Sequence, residues 1–289
     1  MKTVIACISF IMIFFSSLAF AASPILNVHT GKKVDFADMI ADIKGVQLVF
    51  VGEVCDNEGH HRVQLDIIRA LDVEGEKLAI GVEMFRRDSQ GVLDQWTDDK
   101  LGTQKFMDAF DDNWSMWPQY QNFFRYARDN RIRIVGLNIT RTLIKQVEEY
   151  GFDSLTPEQI GSMDGLSCNV EPSYQDVVRR SLMFTGTPGN PKFIYFCEAQ
   201  ILGDSYMAKT LREFMGKNPE YKVVVLAGNS HCWKHGIPAR LLRQMKVTYR
   251  VILPEIPGGG RLGRDKITSK DTDYLWLDNG PTAWSYGSD

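Results

Sequence analysis

Short apolar runs separated by helical patterns are the feature that most constrains the fold of this chain. Each run is rich in β-branched or aromatic residues and too short to be a helix of ordinary length, which is typical of buried strands. Because strands that alternate with helices form right-handed βαβ units, the pattern predicts a mostly parallel sheet. The predicted strands are Val46–Glu53, Leu78–Met84, Ile132–Asn138, Phe193–Glu198, Val223–Gly228 and Val247–Leu253.

The sequence therefore predicts an α/β fold, specifically a three-layer α/β/α sandwich. The section between the third and fifth runs holds extra helical segments, including one that begins at Thr156-Pro157-Glu158, a typical helix start. Asn138-Ile139-Thr140 matches a glycosylation sequon, but Thr140 as a helix cap explains it better. We expect this section to form a small mid-chain helical lobe over the sheet. The run from Pro257 to Arg261 resembles a phosphate loop only in its glycine content and predicts a flexible surface loop.

The N-terminus has the pattern of a secretory signal peptide. Lys2 is followed by an apolar stretch and by Ala19-Phe20-Ala21, a small-x-small cleavage pattern. We expect cleavage after residue 22, one domain over residues 23–289, no membrane span after cleavage, and a periplasmic or secreted location. No cysteine stands directly after the cleavage region, so no lipid anchor is expected. The net charge of −3 gives no basic footprint for nucleic acid.

A first cluster of polar side chains follows the first predicted strand. Glu53 and Cys55 point to the same side of an extended segment, while His60 and Gln64 share a face of the next helix. His61 lies beside them. Ligands of open α/β sheets bind beyond the carboxyl ends of the strands, so this cluster is a candidate binding site.

A second cluster follows later strands and is expected to meet the first at the same edge. Glu83 ends the second predicted strand, and His231 follows the fifth. Gln200 and Asp204 are four residues apart at the predicted start of a helix after the fourth strand. Four of the five histidines fall in the segments around His60 and His231, which favours a shared site over scattered core histidines.

These residue types suit more than one ligand. Thiol, imidazole and carboxylate groups bind divalent metals, so Glu53, Cys55, Glu83 and His231 are candidate metal ligands. Glu53, Glu83 and His231 would also be the catalytic residues of a metal-dependent hydrolase. Cys55 and Cys232 are expected near each other, either as a disulfide or as a metal-binding pair.

Together these residues resemble the ChaN-like haem-binding family of exported bacterial proteins. The resemblance covers most of the chain after the signal peptide. It rests on Gly52-Glu53 with Asp56-Asn57, His60-His61 with Gln64, Glu83-Met84-Phe85, Trp117 with Tyr120, Asn138-Ile139-Thr140-Arg141, Gln200 with Asp204 and Met207-Ala208, and Gly228-Asn229 with His231 and Gly236-Ile237-Pro238.

The resemblance implies haem as the cofactor, a tyrosine ligand that no local pattern assigns, and a homodimer. The cofactor-binding residues would be Glu53, Cys55, His60, His61, Gln64, Gln200 and His231. Cys55 stands where the family pattern usually has histidine. The distantly related erythromycin esterases and Tiki-type proteases use two Gly-x-x-His motifs for hydrolysis, and this chain keeps only the second, at His231. Either Cys55 replaces the first histidine as ligand or nucleophile, or the hydrolytic chemistry has been lost. The leading hypothesis is a periplasmic haem- or iron-binding protein that handles haem or iron, and the alternative is the metal-dependent hydrolase acting on an ester or amide.

Overall fold

One eight-stranded mixed sheet organises the chain, with strands in the order β2-β1-β8-β7-β3-β6-β4-β5. A computed structural model describes residues 25–163, 166, 168–181, 190–255 and 267–277. Strands β3 to β8 pair in parallel, whereas β1 pairs antiparallel with β2 and with β8. The strands are β1 (Ile25–Asn27), β2 (Lys32–Val34), β3 (Leu48–Glu53), β4 (Lys77–Arg86), β5 (Arg133–Asn138), β6 (Tyr221–Gly228), β7 (Tyr249–Pro254) and β8 (Tyr274–Trp276).

Helices cover both faces of the sheet, as the predicted sandwich requires. One face packs against α1 to α5 around an aromatic-rich core, and the other packs against the second half of α9 and against α11. The helices are α1 (Phe36–Lys44), α2 (Glu58–Leu71), α3 (Gln90–Thr97), α4 (Thr103–Asn113), α5 (Trp117–Asp129), α6 (Arg141–Tyr150), α7 (Pro157–Ser162), α8 (Pro172–Ser181), α9 (Pro191–Lys217), α10 (Asn229–Cys232) and α11 (Ile237–Leu242).

Five of the six predicted strands are present, with bounds that differ by a few residues. The predicted strand Phe193–Glu198 is wrong, because these residues form the first turns of α9. Asn190 caps that helix with its side chain, and Pro191 occupies its first turn. Gln200 and Asp204 consequently lie inside a long helix and do not begin one. The short strands β1, β2 and β8 were not predicted.

The mid-chain helices form the predicted lobe. Helices α6 and α7 pack with the first half of α9 around a small core of their own, which includes Val147 and Leu202. Thr156 and Gln159 form a reciprocal capping box at the start of α7. Thr140 occupies the cap position of α6, but its side chain makes no capping hydrogen bond.

The carboxyl ends of β3, β4, β5 and β6 meet at one edge of the sheet. Strand β4 extends to Arg86, so Glu83 lies within it and not at its end, and the pairing of β4 with β5 is irregular between Val82 and Arg86. Such irregularities redirect side chains and are frequent beside binding sites. No helix in the described part of the chain has the length and apolar character needed to cross a bilayer. The predicted signal peptide and the run 257–261 lie outside the described residues.

Candidate functional site

A cavity of about 480 Å³ lies over this edge of the sheet. Its volume is within the range of small-molecule sites, and its lining combines apolar and charged side chains. The walls come from the ends of β4 and β5, the loop between α4 and α5, and the helices α6, α9 and α10. The lining residues used below are Cys55, Glu83, Met84, Trp114, Met116, Ile139, Arg141, Ile144, Lys145, Ala199, Gln200, Met207 and His231.

His231 is held between two buried carboxylates. Its Nδ1 lies 2.7 Å from Asp204 Oδ1, and its Nε2 lies 3.5 Å from Glu83 Oε1. The backbone N–H of Gly228 donates to Glu83 Oε2 at 2.7 Å, which fixes that carboxylate at the end of β6. Asp204 is fully buried on α9 and Glu83 is nearly so. Strand β4, helix α9 and helix α10 therefore converge on one imidazole.

The two carboxylates favour the charged form of this imidazole. Burial alone would lower the pKa of His231, but the nearby Glu83 and Asp204 outweigh it and raise that pKa to about 9. Burial raises the pKa of Glu83 and of Asp204, while the His231 charge opposes the rise in both. The arrangement thus favours an imidazolium between two carboxyl groups.

Glu53 anchors a second polar cluster that does not line the cavity. Its Oε1 accepts a hydrogen bond from the Tyr120 hydroxyl at 2.6 Å, and its Oε2 accepts one from Gln64 Nε2 at 2.9 Å. His61 Nε2 is 3.3 Å from Glu53 Oε2 without hydrogen-bond geometry, and the His61 ring packs 4.3 Å from that of Tyr120. The cluster is buried, and its role in the fold is to connect β3, α2 and α5.

His60 also lies outside the cavity. The backbone N–H of Val54 donates to its Nδ1 at 3.0 Å, and Asn57 Nδ2 lies 3.0 Å from its Nε2. The ring therefore stabilises the turn between β3 and α2, and no nitrogen is turned toward the cavity. Of the first predicted cluster, the geometry brings only Cys55 into the cavity.

The four cysteines in the described part of the chain are thiols. Cys55 and Cys232 are both free, so the disulfide alternative is not formed. Burial, followed by the charges of Glu53 and Glu83, raises the pKa of Cys55 to about 12. Because thiolates and not thiols bind metals and attack carbonyl groups, Cys55 is a poor ligand and nucleophile here.

Gln200 lines the cavity with an amide oxygen that is buried and has no hydrogen-bond donor among the described residues. Such an acceptor favours a polar ligand group nearby. The structure adds basic residues that were not predicted: Arg141 and Lys145 lie four residues apart on α6 and both line the cavity. Their spacing after the polar strand end at Asn138 is the signal that could have identified them.

The predicted divalent metal site has no support in the geometry. Within the described parts of the chain, no group of three or more His, Cys, Asp or Glu side chains is arranged to hold a metal ion. Glu53 is hydrogen-bonded to Tyr120 and Gln64, in a different cluster from the Glu83–His231 pair. The residues named for a metal-dependent hydrolase are thus divided between two separate clusters.

Two solved structures of known proteins are similar to this chain. The structure of ChaN from Campylobacter jejuni, described as showing cofacial haem binding, matches with a TM-score of 0.68 and 22% identity, covering 87% of this chain and 95% of that one. A mutant erythromycin esterase EreC has a TM-score of 0.48 and 15% identity, covering 81% and 76%.

A plant relative matches over a comparable stretch. Protein RETICULATA-RELATED 5, chloroplastic, from Arabidopsis thaliana is 21% identical over 80% of this chain, which spans only 34% of that protein. The family model described as "Haem-binding uptake, Tiki superfamily, ChaN" matches residues 39–241. Since that match covers most of the chain, this protein belongs to the ChaN family of haem-binding uptake proteins in the Tiki superfamily.

Proposed function

We propose that this protein binds haem in the cavity at the carboxyl edge of its sheet. The observation that carries the proposal is the combination of an apolar wall, two unpaired basic side chains and a carboxylate-bonded imidazole in one cavity. Within the described residues, the side chains of Arg141 and Lys145 have no ion pair or hydrogen bond, although the acidic residues Asp111, Asp112 and Glu148 also line the cavity. They suit the two carboxylates of haem, and the apolar wall suits its macrocycle. That wall is formed by Met84, Ile139, Ile144, Ala199 and Met207.

His231 is the donor to iron that the geometry favours. Histidine ligands usually donate their second ring N–H to a carboxylate, which is the relation of His231 Nδ1 to Asp204. Its Nε2 would then hold the iron once its proton has passed to solvent. Bound haem supplies a positively charged iron, which Glu83 and Asp204 favour. No tyrosine of the described chain lines the cavity, so the implied tyrosine ligand has no candidate there.

A haem titration followed by optical absorption tests the proposal. We expect a saturable Soret band at one haem per chain. His231→Ala should shift that band and weaken binding about tenfold or more, since it removes the iron donor. Arg141→Gln with Lys145→Gln should weaken binding several-fold and leave the band position unchanged, because carboxylate contacts do not touch the iron.

His235→Ala is the matched control, because His235 pairs with Asp271 outside the cavity. It should bind haem as the parent chain does. A parent chain that binds no haem saturably, or a His231→Ala variant with an unchanged Soret band, would overturn the assignment.

We further propose export, haem or iron handling, and a homodimer. The support for export is the signal-peptide pattern, and N-terminal sequencing of the secreted protein tests it. The support for the dimer is the likeness to a protein described as binding haem cofacially, which for one haem per chain requires two chains. Molar mass in solution with and without haem tests the dimer, and an unchanged monomer mass would contradict it.

A further inference from the structure

A second cavity, of about 290 Å³, lies between α8 and α11. It shares no lining residue with the haem cavity. Its walls include Asn169, Glu171, Tyr174, His235, Arg240 and Arg243. Nothing in the proposed haem site uses these residues, so the chemistry of this cavity requires its own explanation.

Two arginines dominate the charge of this cavity. Arg240 and Arg243 lie three residues apart at the end of α11, so both guanidinium groups lie on one side of it. Among the described residues neither has an ion pair or a hydrogen bond, and the Arg240 Nε is buried without an acceptor. Glu171 is the one carboxylate in the lining, and it is exposed.

The Arg240 guanidinium is held in place by an aromatic ring. Its central carbon lies 5.2 Å from the centre of the Tyr174 ring, within the range of a cation–π contact. The Tyr174 hydroxyl lies 3.5 Å from Asp204 Oδ2, which orients the ring. His235 is oriented as well, by the contact of its Nε2 with Asp271 Oδ1 at 3.2 Å. The cavity is therefore lined by positioned side chains.

The charge of Arg240 lowers the pKa of the buried Asp204, but no described carboxylate forms an ion pair with Arg240, and its buried Nε lacks an acceptor that an anion can supply. A guanidinium presents parallel N–H donors that match the oxygens of a carboxylate or phosphate group. We propose that this second cavity binds the carboxylate or phosphate group of a small anionic ligand, with Arg240 and Arg243 as its principal contacts. Asn169 and His235 would supply further polar contacts.

Calorimetric titrations with inorganic phosphate and, separately, with acetate at constant ionic strength test this site and distinguish the two chemistries. At least one probe should bind saturably at one per chain. Arg240→Gln and Arg243→Gln should each weaken that binding about tenfold. Arg62→Gln is the matched control, since Arg62 is an exposed arginine on α2 outside both cavities.

Arg243 is exposed, so its variant keeps the test valid if the loss of Arg240 disturbs folding. The proposal is overturned if neither probe saturates, or if both arginine variants bind the probe as tightly as the Arg62→Gln control.

Discussion

At the scale of single residues, Gly52 shows how closely strand β3 is packed against its neighbours. A Cβ atom added there would overlap Asn229 Oδ1 and lie 2.7 Å from Leu253 Cδ2. Gly52→Ala should therefore lower the free energy of unfolding by about 2 kcal/mol, because the Asn229 and Leu253 side chains must shift within a packed region to admit the methyl group. Urea denaturation measures this value.

Gly228 is the matched control. It lies on the neighbouring strand β6 and pairs with Glu53, the residue after Gly52. An added Cβ there would meet Glu83 Oε2 at 3.6 Å, an ordinary contact. Gly228→Ala should change the free energy of unfolding by less than about 1 kcal/mol. Equal losses in the two variants would contradict the steric explanation.

Tyr120 gives the second prediction at this scale. Its hydroxyl donates to Glu53, a carboxylate that is only 2% exposed. Tyr120→Phe leaves Glu53 with one donor fewer, so the free energy of unfolding should fall by about 2 kcal/mol.

Tyr126 on the same helix makes a comparable bond to Asp72 at 2.9 Å, but this pair is in contact with solvent. Water can replace the lost donor there, so Tyr126→Phe should cost less than about 1 kcal/mol. Thermal or urea unfolding of both variants tests the difference, and a larger loss for Tyr126→Phe would show that burial does not set the cost.

At the scale of secondary structure, helix α9 explains the main error of the sequence analysis. The run from Phe193 to Glu198 contains the aromatic and β-branched residues that strands favour. A short apolar run does not distinguish a strand from a buried helix segment. The cap at Asn190 and the length of the following pattern favour the helix, since Phe193 and Cys197 lie on one buried face.

The proximity of the Glu83 carboxylate and the His231 imidazole was predictable, because the carboxyl ends of parallel strands meet at one edge. Glu83 and His231 are brought together in this way. Arg141, Lys145 and the lining residue Trp114 come from helices and loops whose approach depends on tertiary packing. The sequence also could not predict that Glu53 lies outside the cavity, because this depends on the position of the Tyr120 hydroxyl that donates to it.

The turn before β8 gives a prediction about pH. Burial alone would raise the pKa of Asp271, but hydrogen bonds from His235 and from the Thr268 amide and hydroxyl lower it from 3.8 to about 2. A carboxyl group whose pKa is lower in the folded state stabilises the fold at pH values above its unfolded-state pKa. This stabilisation is lost as the pH falls through the folded-state pKa. The carboxylate should contribute about 2 kcal/mol at pH 7 and about half of that at pH 3.

Unfolding of Asp271→Asn measured between pH 7 and pH 3 tests this element. The difference in the free energy of unfolding between the variant and the parent chain should shrink as the pH falls below about 4. Asp98→Asn is the control, because Asp98 is an exposed residue paired with Lys100, and surface pairs contribute little. A difference for Asp271→Asn that stays constant with pH would exclude its carboxylate charge as the cause.

At the scale of the whole molecule, Asp273 connects parts of the chain that are far apart in sequence. Its Oδ1 lies 2.6 Å from His29 Nε2 and 2.6 Å from Lys234 Nζ, and its Oδ2 accepts the Val251 N–H at 2.8 Å. The first strands of the chain, the segment after α10 and strand β7 thus share one carboxylate. Since β8 also separates β1 from β7 in the sheet, this end of the sheet depends on residues 271–277.

Asp273→Ala should lower the free energy of unfolding by about 3 kcal/mol, because it removes one partner of a buried ion pair and leaves Lys234 without its carboxylate. Asp153→Ala is the matched control, since Asp153 is exposed and has no ion pair within the described residues. Hydrogen exchange should show faster exchange in β1 and β7 of the Asp273 variant. If exchange increased only at residues 271–277, Asp273 would stabilise its own segment alone, and the connection between the distant parts would be wrong.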